Sequence, residues 1–588
     1  MCRTATIGLL ALVVGFECWP AFAAESPLER IPDTALVLVR LKSPEATIKK
    51  VADFAGRIND DYKPLVTSAA GLLGNVISNP AQAGVDRKRD WWLVVVGKPG
   101  HPAEVVFGLP AADENAMKRA LGKGFRFVSY KDFVFYTRSE HALDEFEALR
   151  AGHRKSAASA LDRRLRALFD NCDLAASFNV RELRQVYRNT IDEWKQKVVS
   201  FAKQFGDANP SALSPGVDKA ATAKLYADMI SAPFQALEDA EQFACGINLP
   251  DKGVDGGGHD SRGVGGGGID VEACFTVARS TPTDRFIERN PPSEMQTLGR
   301  LPADHVVYYG LAGDVSALIR WGATAAATMR AGNQRLQKQY AEASQALAGL
   351  HVKGEYNTFS IGSPNEGVLW YTSVIEVDQP EKMRDIRLQL LEATAALTTT
   401  FAKTTVTVKS RAEQVASHRV DLVTVKMEAD PFKDPGGQRT GFMNLMYGRD
   451  GMVTRFATLP PLVVESVGGG KEFFDALMHS LETNKGAARQ PTWASVRANL
   501  PARANGIVLI DVPRLGTEVL RVLATLRFLP IEDGAIAELE QDLHASYLGI
   551  ALATEPQGIR VKLHIPFEQA KGISRLIEFV RSELGRPR

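Results

Sequence analysis

A short apolar run that ends on an acidic or amide residue and continues as an amphipathic helix recurs along this chain of 588 residues. The junctions read Asn179-Val180-Arg181-Glu182-Leu183, Asp314-Val315-Ser316-Ala317-Leu318 and Asp511-Val512-Pro513-Arg514-Leu515. Ser43-Pro44-Glu45 occupies the same place in a first copy. Helix capping explains the pattern. A side-chain oxygen accepts the orphan N–H groups of the first turn, and proline is tolerated there because its missing donor costs nothing. Capping is therefore the expected role of Asp314 and Asp511, rather than catalysis. Similar starts precede the runs: Ile31-Pro32-Asp33, Asn171-Cys172-Asp173, Leu301-Pro302-Ala303-Asp304 and Leu500-Pro501.

Each junction leads into a long helical arm, then two strand-like runs, then a shorter helix. A repeat of this size must be read before any local motif. The pattern predicts a tandem duplication. Residues 24–290 form a first half, with units at 31–121 and 171–290 joined by a hairpin and helix at 125–149. Residues 291–300 form a proline-rich hinge, opened by Asn290-Pro291-Pro292-Ser293. Residues 301–588 form a second half, with units at 301–397 and 500–585 joined by a strand-rich stretch at 402–482. Paired strands joined by turns such as Lys98-Pro99-Gly100-His101-Pro102 favour antiparallel pairing. The expected class is α+β: antiparallel sheets, helices packed on one face, and long helical arms.

The N-terminus reads as an export signal. Arg3 gives a basic start, Ile7 to Phe16 is an apolar run, and Ala21-Phe22-Ala23 fits a cleavage site, so residues 1–23 are expected to be removed. That predicts a periplasmic or secreted protein with no stable membrane insertion after cleavage. Lys plus Arg number 70 against 69 Asp plus Glu, a balance that argues against a nucleic-acid partner. The Leu301-Pro302-Ala303-Asp304 start and the Asp314-Val315 and Asp511-Val512 junctions resemble those of a family of exported bacterial envelope proteins of unknown function. The first half departs from that pattern with Ile31-Pro32-Asp33 and Asn179. The resemblance implies localisation and architecture, and no chemistry.

Familiar chemistries are missing from the residues. No two histidines stand in a metal-binding helical spacing, and neither a hydrolase nucleophile elbow nor a phosphate loop is present. Gly263, Gly265 and Gly268 satisfy a dinucleotide spacing, but a strand-like run follows where a helix should open. The same glycine-rich stretch offers Asp255, His259, Asp260 and Asp270 as metal candidates, yet calcium repeats of this kind need tandem copies. A hairpin insertion is the preferred reading. No cofactor and no catalytic set is expected. Three cysteines follow the signal, and alternation puts Cys245 on the core face and Cys274 on the solvent face, so they should not pair. Trp91 and Trp92 point to opposite faces of a strand, and an exposed one would offer a ligand platform. Tyr187, Trp194, Val198 and Phe201 form a helical stripe expected to face the core.

The function expected from this reading is a non-enzymatic binding or scaffold protein of the envelope, whose partner is another envelope protein or a second copy. The alternative is an envelope hydrolase with a site between the two halves, because catalytic groups scattered in sequence can converge in space. A calcium-dependent adhesion module is a third reading.

Overall fold

The computed structural model describes residues 27–139, 141–208, 233–250, 267–329, 334–363, 366–394, 402–429 and 436–585, with single positions at 224, 227, 231 and 434. The export segment and the candidates Asp255, His259 and Asp260 lie outside the described residues. Among the described residues, eighteen strands form one sheet. The first eight are β1 (Val37–Leu41), β2 (Trp91–Val96), β3 (Glu104–Pro110), β4 (Arg126–Tyr130), β5 (Phe133–Thr137), β6 (Leu174–Phe178), β7 (Ala240–Asn248) and β8 (Gly268–Val277). The others are β9 (Val307–Ala312), β10 (Val352–Ile361), β11 (Leu369–Val377), β12 (Ala402–Val415), β13 (His418–Ala429), β14 (Met452–Leu459), β15 (Leu462–Val467), β16 (Gly506–Ile510), β17 (Leu548–Glu555) and β18 (Gly558–Pro566).

Every pairing is antiparallel. The first half lies in the order β4-β5-β3-β2-β1-β6-β7-β8. β8 then pairs with β18, with Glu272 opposite Lys562. The second half continues β18-β17-β16-β9-β10-β11-β15-β14-β13-β12. Outward from the central β8–β18 pair, the strands follow one sequence on both sides. The third, second and first strands of the later unit come first. The first, second and third strands of the earlier unit follow, and then a hairpin. β12 and β13 extend the second half alone.

The α+β class with antiparallel pairing is present, but helices cover both faces, which corrects the expectation of one. Adjacent residues on a strand point to opposite faces. Val374 packs with Phe474, Leu477 and Trp493 of the short helices Gly470–Thr483 and Pro491–Ala498. Its neighbour Ile375 packs with Val315, Ala343 and Met383 of the long helices Val315–Met329, Gln334–Leu347 and Pro380–Thr394. A strand apolar at consecutive positions needs cover on both sides, and the connecting segments between units supply the second layer.

The junctions cap as their sequences require. Asn179, Asp314 and Asp511 accept backbone N–H groups from Glu182, Ala317 and Arg514 at 3.2, 3.2 and 3.3 Å. Ser43 is different: it makes no side-chain cap and has a φ of 34°, while its N–H donates to Asp90 at 3.1 Å. The segment 291–300 is pinned. Ser293 and Ala504 exchange backbone bonds of 3.0 and 2.8 Å, and the Asn290 carbonyl accepts from Asn505 Nδ2 at 2.9 Å. The halves also meet through the helices Pro44–Ile58 and Phe567–Leu584, where the Phe54 and Phe567 rings stand edge to face at 5.7 Å. Among the described residues, no helix is long and apolar enough to cross a membrane.

Candidate binding cleft and the seam between the halves

The turn from β2 to β3 holds Pro99 and Pro102, which lack a donor for the strand ladder, and Gly100 with a φ of 79° between them. Behind it opens a cleft of about 720 Å³. Its floor is apolar, with Val96, Ala142 and Val186. Its walls are polar: Lys98 and His101 from the turn, Glu104 from the start of β3, His141 and Glu145 from the loop and helix after β5, and Glu182 from the helix Val180–Val186. Glu145 organises one wall. Its carboxylate accepts from Arg154 at 2.9 Å and from the Thr34 hydroxyl at 3.4 Å, and Lys98 stands 3.8 Å away. Glu104 and Glu182 form no ion pair among the described residues, so two carboxylates remain open to a ligand. An apolar floor with a few convergent charges is the usual make-up of a small-molecule or peptide site.

The same place in the second half is filled. His305 Nδ1 and Ser360 Oγ lie 2.8 Å apart, the His305 and Phe473 rings meet at 5.6 Å, and Phe473 packs on Trp370 at 5.5 Å. Glu518, where the first half has Val186, accepts from the Ile361 N–H at 3.3 Å, and burial holds its carboxyl above the ordinary range.

The seam between the halves is a strand pair rather than a cleft. It carries charge on one face. His564 is buried, with Nδ1 2.9 Å from Asp270 Oδ1 and with no hydrogen-bond partner on Nε2. A Cβ on Gly268 would stand 2.8 Å from His564 Cε1, so the last glycine of the tract makes room for the imidazole. Arg560 joins Glu272 and Glu555, and Arg164 reaches Glu555 from the first half at 3.4 Å.

Asp270 is thus committed to His564 and, at 3.7 Å, to Lys562. Among the described residues, no group of three or more His, Cys, Asp or Glu could hold a metal ion. Trp91 and Trp92 are 5% and 3% exposed and pack in separate clusters on opposite faces, which removes the exposed platform. The reason is the two-sided cover: Phe169 stacks on Trp92 at 5.9 Å, and Trp91 donates to the Asp86 carbonyl at 3.0 Å. Cys172, Cys245 and Cys274 are free. Cys245 and Cys274 do point to opposite faces, but Cys274 is the buried one and Cys245 the part-exposed one. Asp270 and Glu272 share the Cys274 face because the seam pairs them with cations, not because solvent bathes it. Burial pushes the Cys172 and Cys274 thiols up to about 11, which leaves them poor nucleophiles. The aromatic stripe also departs from expectation: Trp194 and Phe201 are 62% and 66% exposed.

Sequence reasoning passed over the cleft. Its one mark in the sequence is the turn Lys98-Pro99-Gly100-His101-Pro102, whose prolines and histidine fit a plain strand connection equally well. Comparison with known protein families, curated proteins and solved structures found no match.

Proposed function

We propose that this chain is an exported protein of the bacterial envelope, periplasmic or secreted, acting as a non-enzymatic binding or scaffold protein. Its partner is another envelope protein or a second copy. The export reading rests on residues 1–23. The equal strand order on both sides of the seam supports descent of the halves from one duplicated segment. The observation that carries the binding reading is the mixed-charge cleft of about 720 Å³ on a continuous sheet. Apolar floor and unpaired carboxylates suit a peptide segment that carries a basic side chain.

Binding partners captured from envelope extract by the wild-type chain and by Glu182→Lys and Pro102→Trp variants test this. A specific partner held by wild type and lost from both variants is the expected result. Equal capture by all three removes the cleft from the account. Sedimentation of the same proteins separates self-association from a second species.

The hydrolase reading keeps one observation in its favour, the buried His564–Asp270 pair with a free Nε2. Hydrolysis of ester, amide, glycoside or phosphate substrates that disappears in His564→Asn would replace the scaffold reading.

A further inference from the structure

The shared frame matches the two halves residue by residue around the cleft. Val37 pairs with Phe178 and Val95, and Val307 pairs with Ile510 and Phe359. One step further, Val96 pairs with Glu104 where Ser360 pairs with Trp370. Ala35 and Glu104 therefore stand where the second half has His305 and Trp370. The fully buried Phe146 and Phe474 match the helices Asp144–Arg150 and Gly470–Thr483, which sets Glu145 against Phe473. The capping residues Asn179 and Asp511 set Glu182 against Arg514 and Val186 against Glu518.

The cleft is thus the filled site of the second half with three rings removed and one charge reversed. In the second half the frame accepts rings here, with His305 and Trp370 packed on Phe473 at 5.6 and 5.5 Å. The guanidinium of Arg514 is met by Glu518 at 3.1 Å. In the first half Glu182 replaces the cation, and Val186 offers it no partner. Besides the two histidines, the charged groups lining the cleft are Lys98, Arg154, Glu104, Glu145 and Glu182. Both cations are placed on Glu145. Glu104 and Glu182 are half-buried carboxylates with no ion pair among the described residues, an arrangement that costs desolvation until a cation arrives. A ligand that restores what the second half builds in supplies an aromatic ring for the floor and a positive charge for these two carboxylates.

The strand edge beside the cleft suits a peptide. Phe107 pairs with Tyr136 where Ser373 pairs with Glu465. The second half continues through Thr372–Ser466 and Tyr371–Val467, but the first half stops. Thr137 leaves the ladder and gives its hydroxyl to the Val105 carbonyl at 2.7 Å. Among the described residues, β3 has no partner strand on that side at Glu104 and Val105. An extended peptide can lie along such an edge and place a side chain in the adjoining pocket.

We propose that the cleft binds a peptide segment in which an aromatic residue stands next to a lysine or arginine. The ring lies on Val96, Ala142 and Val186, and the cation meets Glu104 and Glu182. This rests on the binding reading of the same cleft and names the sequence it selects.

Calorimetric titration of the full chain with N-acetyl-tryptophanyl-lysinamide tests it, against the tryptophanyl-glutamate and glycyl-lysine analogues. The tryptophanyl-lysine probe should bind saturably and at least about tenfold more tightly than either analogue, a difference of about 1.4 kcal/mol. The double variant Glu104→Gln with Glu182→Gln keeps both side chains' size. It should erase the preference for lysine over glutamate while tryptophan stays preferred over glycine. Glu104→Trp copies Trp370 and should abolish binding of all three probes. Equal affinity for lysine and glutamate probes, equal affinity for tryptophan and glycine probes, an unchanged preference in the double variant, or no saturable binding overturns the proposal. The binding reading itself is judged separately, by envelope capture. Capture lost from Glu182→Lys and Pro102→Trp without binding of the tryptophanyl-lysine probe overturns the aromatic–basic assignment alone.

Discussion

The two halves of the sheet keep one strand order and exchange what lies on it. At the turn between second and third strands, the first half holds an open cleft. The second half fills that place with His305, Trp370 and Phe473. On the other face the fill differs again. The first half packs Trp91 into its core, and the second sets Glu355 at the corresponding position. Backbone pairing supplies the frame, and the frame accepts either fill.

One pair of positions tests how deep the correspondence runs. Asp173 and Asn505 each donate a backbone N–H to the neighbouring strand, to Ile247 and Leu552, at 2.9 and 2.7 Å. Each side chain also accepts a backbone N–H, from Leu249 and Thr554, at 2.8 and 2.7 Å. The remaining partners differ. Asp173 meets Lys50, whereas Asn505 Nδ2 donates to the Asn290 carbonyl. Asn505→Asp would replace the Nδ2 donor by a carboxylate oxygen and set that buried charge against the Asn290 carbonyl. The expected loss is about 3–5 kcal/mol in urea unfolding at pH 7. A loss under about 1 kcal/mol would show that the two environments are interchangeable.

Acid should separate the halves next. His305, in the filled site, has its pKa held down at about 4, by burial first and by Arg514 second. The unfolded imidazole titrates near 6.5, so below that pH the unfolded chain takes a proton the folded site refuses. Stability contributed here is therefore intact above about pH 6.5 and is lost as pH falls to about 4. The full loss is about 3 kcal/mol. The corresponding position in the first half is Ala35, with nothing to titrate. The urea midpoint of wild type should fall between pH 7 and pH 4.5 more steeply than that of His305→Phe. Parallel pH profiles would remove His305 from the acid response.

Much of the frame was legible because it rests on local rules. Capping at Asn179, Asp314 and Asp511 follows from residue type, and alternation put Cys245 and Cys274 on opposite faces. What failed depended on cover from distant segments. Phe169 closes over Trp92, and the charges on the Cys274 face are met by Arg560 and His564 from the far end of the chain. Periodicity marks a stripe and leaves open whether anything lies on it, so Trp194 and Phe201 read as core and stand exposed. The cleft and the Glu355 position come from differences between corresponding strands. Aligning Leu41-to-Trp91 pairing with Leu311-to-Glu355 pairing would have exposed the odd glutamate, but that register is visible only once the strands are paired.

The smallest effect is expected on the first-half side of the Asp173–Asn505 comparison. Asp173→Asn keeps an oxygen for the Leu249 N–H and gives up the bond to Lys50, whose Nζ lies 3.0 Å from Oδ1. Asp173 is buried and Lys50 part-exposed, so solvent screens one partner and the cost should be about 1 kcal/mol. In a Lys50→Met background the same change should be nearly neutral, giving a coupling of about 1 kcal/mol in the double-mutant cycle. The two halves then differ by a factor of several in how they tolerate an amide–carboxylate exchange at one position of one frame. Zero coupling would mean that the backbone bond alone holds Asp173, and that the lysine is incidental to the difference.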